Sequence, residues 1–253
     1  MTAGADPWSQ AAHRVRFDWG HEAARRFGAS CRIVVVVDVL SFTTAVAVAV
    51  ERGASVVPFA GGPEDAERYA AELGAVAASR VRGAGPSLSP ASLLGLAPGS
   101  RLVLPSPNGA VCCSLAAEGG ATVIAGTLRG RTAAVTWLRD AVAAGASPVG
   151  VVAAGERWPN GTLRPALEDL VGAGALLEGL DRAWLSPEAR VAVGAWSAVA
   201  SDLDATIAGS ASGVELAGRG FADDVRLASE LDVSDVLPVL RGAAFTAAPA
   251  TGD

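Results

Sequence analysis

Lysine is missing from the chain: all 20 of its basic side chains are arginine. That excludes a Walker-type phosphate loop, which needs its lysine, and every mechanism that runs through a Schiff base. Histidine is scarce, with His13 and His21 both near the N-terminus among Trp8, Trp19 and several arginines. Neither has a carboxylate or cysteine at ligand spacing, so they are read as surface or packing residues rather than a metal pair. The three cysteines, Cys31, Cys112 and Cys113, are odd in number and two are adjacent, which argues against a disulfide framework and suits a reducing compartment. Aromatics make up 5%, and a net charge of −6 argues against a nucleic-acid partner. The opening MTAGADPWSQAAHRVRFDW has no apolar signal core, and the Val and Ala runs are broken by Asp, Glu, Arg or Gly before spanning length. A cytoplasmic protein without membrane contact is expected.

What is present is an Ala-, Val- and Leu-rich chain of 253 residues, 51% hydrophobic, enough for one large domain or two small, closely packed ones. Its organising stretch is CRIVVVVDVLSFTTAVAVAVERG, from Cys31 to Gly53. Arg32 to Val37 is a β-branched run that predicts a strand buried on both faces and ending at Asp38. After the loop Val39-Leu40-Ser41-Phe42, Thr43 and Thr44 open an Ala/Val helix that Gly53 can close. An acid at the end of a buried strand, next to a helix N-terminus, can hold a cation beside an anion, and a phosphate with a divalent metal satisfies both halves. The plainer reading is that Asp38 only caps the helix.

The remaining units repeat this logic. Residues 1–30 read as a loosely held start and then an extended or helical lead-in to the first strand. Ala54 to Phe59 is a second strand, followed by a helix from Gly61-Gly62-Pro63 to about Leu73. Ser79 to Ser100 is a long Gly-, Pro- and Ser-rich connection of the kind that is often functional, from which Arg80 and Arg82 could reach an anionic ligand, although solvated arginines are the preferred reading. Arg101 to Leu104 leads through Pro105-Ser106-Pro107-Asn108-Gly109 into a helix carrying Cys112 and Cys113, which read as packed thiols. Ala121 to Ala125 leads through Gly126 and Arg129 into a helix closed by Gly145. Val149 to Ala153 leads into Gly155-Glu156-Arg157, the turn-rich WPNGTLRP, and a helix opening with Glu168 and Asp169. A helical region spans Ser186 to Ser210, and Asp235 to Leu240 reads as a closing edge strand with a frayed tail behind it. Four strand–loop–helix units in series define an α/β fold with a largely parallel, or mixed, sheet. Residues 1–253 read as one unit, with two intertwined lobes as the variant and 1–30 and 243–253 peripheral.

The strand-end loops thus supply Asp38, Ser41, Thr43, Thr44, Asn108, Gly109, Arg129 and Glu156, and the following helix supplies Glu168 and Asp169. With no His and no Lys among them, acid–base work falls to carboxylates or to metal-bound water. Ligation by oxygen alone favours Mg²⁺ over zinc. Asp38 with Glu168 or Asp169 are the candidate catalytic and metal-holding acids; Ser41, Thr43, Thr44, Asn108, Gly109, Arg129 and Glu156 are the candidate substrate contacts.

Five segments, VVVVDVLSFTTAVAVAVERGA, LPSPNGA, VIAGTLRGRTAAVTWL, VVAAGE…LEDLVGAGALL and SASGVELAGRGFADDVRLASELDVSDVLPVL, resemble in order and spacing the 2-phosphosulfolactate phosphatase (ComB-like) family over roughly residues 30–240. The resemblance implies a three-layer α/β/α fold and a Mg²⁺-dependent acid phosphatase for phosphate esters of small 2-hydroxy acids. The best-known family reaction turns (2R)-phospho-3-sulfolactate into 3-sulfolactate and phosphate in coenzyme M biosynthesis. Asp38, Thr43 and Thr44 match the family's Asp-Val-(Leu/Phe)-Arg-Ala-(Ser/Thr)-Thr loop, Asn108 and Gly109 its Thr-Asn-Gly turn, and Glu168 and Asp169 its Glu-Asp pair. The chain departs from that pattern at Ser41, where the family usually carries Arg, and at Pro107, where Thr is usual. Arg129, Arg157 and Arg164 are the candidates to supply a guanidinium from another loop. The nucleophile is water or Asp38 itself. The residue two beyond Asp38 is Leu40 rather than the second Asp of haloacid-dehalogenase-like enzymes. A phosphatase for another phosphorylated carboxylic acid and a non-catalytic binder of phosphorylated metabolites are the competing readings, and a homodimer is the base-rate expectation.

Overall fold

The computed structural model describes residues 6–79 and 81–248. In chain order the strands and α-helices are β1 (Val15–Trp19), α1 (Gly20–Ser30), β2 (Ile33–Val37), α2 (Phe42–Glu51), β3 (Ser55–Phe59), α3 (Pro63–Leu73), β4 (Val76–Ala77), β5 (Arg101–Pro105) and α4 (Gly109–Glu118). They continue with β6 (Thr122–Gly126), α5 (Arg131–Ala143), β7 (Val149–Ala153), β8 (Glu156–Arg157), β9 (Leu163–Arg164), α6 (Leu167–Glu178) and α7 (Pro187–Val199). The chain closes with α8 (Leu203–Gly209), α9 (Ala211–Gly218), α10 (Ala222–Ser229), β10 (Pro238–Arg241) and β11 (Ala244–Ala247).

Nine strands form one mixed, mostly parallel sheet in the order β1-β7-β2-β6-β10-β11-β3-β5-β4. Two parallel sets, β1-β7-β2-β6 and β3-β5-β4, are joined by the antiparallel β10–β11 hairpin. Each seam is a single residue pair, Val239 with Ile124 and Phe245 with Val56, so the join is narrow. The valine run of β2 shows why helices cover both faces. Ile33, Val35 and Val37 pack with Leu138, Leu176 and Trp196 from α5, α6 and α7, whereas Val34 and Val36 pack with Phe27, Val46 and Cys112 from α1, α2 and α4. Period-two alternation on an all-apolar strand thus builds an α/β/α sandwich.

Helix α2 is buried from Phe42 to Val50, as expected of a helix apolar all round. Its cover comes from the long connection between β4 and β5, whose short 3₁₀ turn Pro90–Leu93 lies on it with Leu93 wholly buried. The cysteines are free and buried, as expected of packed thiols.

The sequence expectations need correction at three places. Val15–Trp19, expected within an extended or helical lead-in that precedes the sheet, is itself an edge strand of the sheet, paired in full with β7. The expected closing edge strand lies inside the sheet, where Pro238 is tolerated as the first residue of β10. The tail behind it is not frayed over Ala244–Ala247, which completes the hairpin with Phe245 wholly buried. Two residues turn that hairpin, the first being Gly242 at φ 57°, a conformation glycine adopts freely. WPNGTLRP forms the tip and return of the β8–β9 hairpin. Arg80 lies outside the described residues. No described helix is long and apolar enough to cross a membrane.

Candidate active site

Asp38 follows β2 directly, and its carboxylate is gripped by two helix N-termini. Oδ1 accepts the N–H of Phe42, the first residue of α2, at 3.1 Å, and Oδ2 accepts the N–H of Gly109, the first residue of α4, at 2.8 Å. Asp38 does cap α2, as its plainer reading holds, but it caps a second helix at the same time. A third helix start is tied in through Asp169 in the first turn of α6. Its Oδ1 accepts the N–H of Val39 and its Oδ2 that of Gly155, both at 2.8 Å, bracing the loop after β2 against the end of β7. Three helix starts, with their dipoles, are thereby gathered around the two buried carboxylates of Asp38 and Asp169.

The two threonines do different work from that expected. Thr43 Oγ1 donates to the Asp38 carbonyl at 2.9 Å and accepts the Asp38 N–H at 3.1 Å, while Thr44 Oγ1 donates to the Val39 carbonyl at 2.8 Å. Both hydroxyls are spent on the loop's own backbone and shape it.

Above this floor lies a cavity of about 190 Å³ lined by Asp38, Ser41, Arg82, Asn108, Glu156 and Arg219, among others. Asn108 Nδ2 donates to Glu156 Oε2 at 2.9 Å, and Asn108 Oδ1 is buried with no hydrogen-bond partner among the described residues. A buried carbonyl oxygen without a partner is costly unless a ligand satisfies it. Ser106 Oγ accepts the N–H groups of Asn108 and Gly109 at 3.3 and 3.1 Å and holds the turn beneath them.

Burial and crowding set the acids' protonation. Burial lifts Asp38 to about 6 against the Phe42 and Gly109 N–H bonds, with the Glu168 charge pushing the same way. Glu156 is raised to about 7, first by burial and then by Asp38, with Arg164 and the Asn108 bond opposing. Asp169 is raised well above the usual carboxylate range by burial, Asp38 and Glu168. Glu168 and Asp169 are both buried and neither lines the cavity.

Arg129 is not with this group. Glu51 receives its Nε and Nη2 at 3.2 and 2.9 Å, and Glu230 and the Leu227 carbonyl take Nη1, making it a buried clamp between α2 and the end of α10. Arg157 donates to the Gly161 carbonyl of its own hairpin and Arg164 to Ser212 Oγ at 3.0 Å. The guanidinium that reaches Ser41 is instead that of Arg82, whose Nη2 donates to Ser41 Oγ at 3.0 Å. His21, read as a surface or packing residue, approaches the Pro107 carbonyl to 3.1 Å with Nε2. Ser212, Glu215, Leu216 and Arg219 also line the cavity from α9 and its end, and their helical spacing was the available signal.

Among the described residues no three His, Cys, Asp or Glu side chains converge closely enough to cage a metal ion. Mg²⁺ seldom needs such a cage, because it keeps waters and is held by one or two carboxylates together with substrate phosphate. The oxygen donors that line the cavity, Asp38, Glu156 and the unpartnered Asn108 Oδ1, fit an open site of that kind.

A buried strand-end acid between helix starts, beside a cavity lined by two arginines, is where α/β folds bind anionic ligands, and family membership makes the class a phosphoric monoester hydrolase. The particular family follows from comparison with known ones. Residues 22–243 match the family model for 2-phosphosulpholactate phosphatase, and the chain belongs to that family.

Proposed function

We propose that the chain hydrolyses 2-phosphosulfolactate to 3-sulfolactate and inorganic phosphate with Mg²⁺ as its metal. The observation that carries this reading is the Asp38 carboxylate, fixed through both oxygens to helix N-termini at the floor of a small cavity that also holds guanidinium groups. Membership of the family supplies the substrate. Ser41, where the family usually has Arg, does not count against it, because Arg82 brings a guanidinium to that residue from another loop.

Asp38 would hold the metal, with Glu168, whose charge acts on Asp38 although it does not line the cavity, as the second acid; the metal when bound supplies positive charge to the phosphate oxygens. Asp169, with both oxygens on backbone N–H groups, positions the loop. In the reaction a water oxygen bonds to phosphorus, the P–O bond to the 2-oxygen breaks, and that oxygen takes a proton. Glu156, held at about 7, is the acid suited to pass a proton near neutrality. The Gly109 N–H holds the Asp38 carboxylate in place, and the cavity wall restricts water.

The test is phosphate release, with and without Mg²⁺, from a panel of phosphorylated 2-hydroxy acids that includes 2-phosphosulfolactate. Mg²⁺-dependent turnover of 2-phosphosulfolactate above the other esters is expected. Turnover confined to other members would discard the substrate, and no release from any ester by folded protein would discard the enzyme reading.

A further inference from the structure

The cavity carries two guanidinium groups. Arg82 and Arg219 both line it; burial lowers the Arg82 pKa, with Asp224 opposing and the Arg219 charge adding to the lowering, while Arg219 is exposed and pairs with Glu215 at 3.3 Å. Two cations held in one small cavity mark a place for an anion. Asp38 lines the same cavity and already takes the Phe42 and Gly109 N–H groups, so the guanidinium groups are the cationic donors on its wall.

Arg82 is more than a counterion. Nη1 pairs with Asp224 of α10, which is itself pinned by Ser89 Oγ at 2.5 Å and the Ala91 N–H at 3.1 Å, and the guanidinium lies 5.5 Å from the centre of the Phe221 ring. Nη2 reaches Ser41. Asp224 alone would neutralise the arginine; these further contacts carry it to the loop after β2 and into the cavity. Two of its five N–H donors are used in these bonds among the described residues, which leaves donors for a ligand. At about 190 Å³ the cavity is smaller than the roughly 300–1,000 Å³ typical of drug-sized sites, which suits a metabolite of a few carbons.

We propose that Arg82, delivered by the long connection before β5, selects substrates that bear a second acid group, binding that sulfonate or carboxylate together with Arg219 while the phosphate occupies the Asp38 floor. This rests on the phosphatase reading for the position of the phosphate, and the acid-binding role is separable from turnover. The specificity of the enzyme is then set by a loop remote in sequence from the strand-end residues.

The experiment compares the wild type with Arg82→Gln/Asp224→Asn, a pair of changes that leaves no unpaired buried charge. Kinetics are measured on 2-phosphosulfolactate and on 4-nitrophenyl phosphate, which has no second acid, and binding of 3-sulfolactate is measured by calorimetry. Arg82→Lys, which keeps the charge but loses the planar fork, is the second variant should the double one fold poorly. The preference for 2-phosphosulfolactate over 4-nitrophenyl phosphate should fall about 10–100-fold, mainly through KM, and 3-sulfolactate affinity should fall by a similar factor. Equal losses on both esters, or unchanged KM and product affinity, overturn the role of Arg82 and leave the phosphatase reading intact. Arg82-dependent binding of 3-sulfolactate by a wild type that hydrolyses neither ester keeps the acid site and overturns the phosphatase reading. A folded wild type that neither binds nor hydrolyses overturns both.

Discussion

Gly109 donates its N–H to Asp38 Oδ2 at 2.8 Å across 71 residues of chain, and no larger residue fits where it stands. A Cβ at position 109 would lie 2.6 Å from that oxygen and 2.5 Å from Cδ1 of the buried Phe42 ring. Gly109→Ala must therefore displace the carboxylate, the start of α4 or both. Because misplacement by about 1 Å can cost about 100-fold, kcat/KM for phosphate release should fall by at least that factor with the circular dichroism spectrum kept. Wild-type kinetics in this variant would detach the Gly109 turn from catalysis.

Asp169 spans Val39 and Gly155, and an amide can serve only one of those donors. Asp169→Asn should leave one buried N–H unpaired, at a cost of about 1–3 kcal/mol. Thermal unfolding followed calorimetrically should show the loss as a lower Tm. An unchanged Tm would remove Asp169 from the framework of the loop.

Glu156 predicts a pH signature. A carboxyl raised from 4.5 to about 7 on folding binds more protons in the folded than in the unfolded chain between those values. Its contribution to stability is therefore present at low pH and is lost as pH rises through that window. Asp38, raised to about 6, acts in the same direction. In chelator-treated protein the Tm should fall between pH 5 and pH 8. Glu156→Gln should flatten that slope and raise the Tm at pH 8 by about 2–4 °C, the response of a chain this size to about 1 kcal/mol. A Tm that climbs with pH over this range would contradict the assignment.

Arg129 separates structure from function. Arg129→Gln strands Glu51 and Glu230 against each other, and should cost about 3 kcal/mol, the low end for a broken buried pair because both acids keep some exposure. Denaturant titration should record that loss while KM for 2-phosphosulfolactate stays at the wild-type value. A raised KM in stable protein would return Arg129 to the substrate contacts.

These cases show which parts of the molecule local sequence could convey. The β2–α2 unit was legible because a valine run, an acid and an Ala/Val helix are neighbours in the chain and their arrangement follows from pleat and helix periods. Asp38, Ser41, Asn108 and Glu156 reached the cavity for the same reason: each closes or follows a strand. Strands β1 and β11, and the place of β10 inside the sheet, were hidden because their partners are distant, Phe17 opposite Val151 and Phe245 opposite Val56. The two-residue Gly242 turn was the local clue to the hairpin. The arginines were misjudged because a long cation is placed by whichever acid it meets. Asp224, 142 residues away, draws Arg82 to the cavity, and Glu51 and Glu230 draw Arg129 out of it. The threonine hydroxyls were visible as residue types, but their direction was not.

The most direct test of the central claim is Mg²⁺-dependent phosphate release from 2-phosphosulfolactate by Asp38→Asn beside the wild type. If the carboxylate is the centre on which the helix starts, metal and phosphate depend, turnover should drop by about 10²–10³-fold or more while the protein remains folded. Turnover within a fewfold of wild type would contradict it and move the chemistry away from the end of β2.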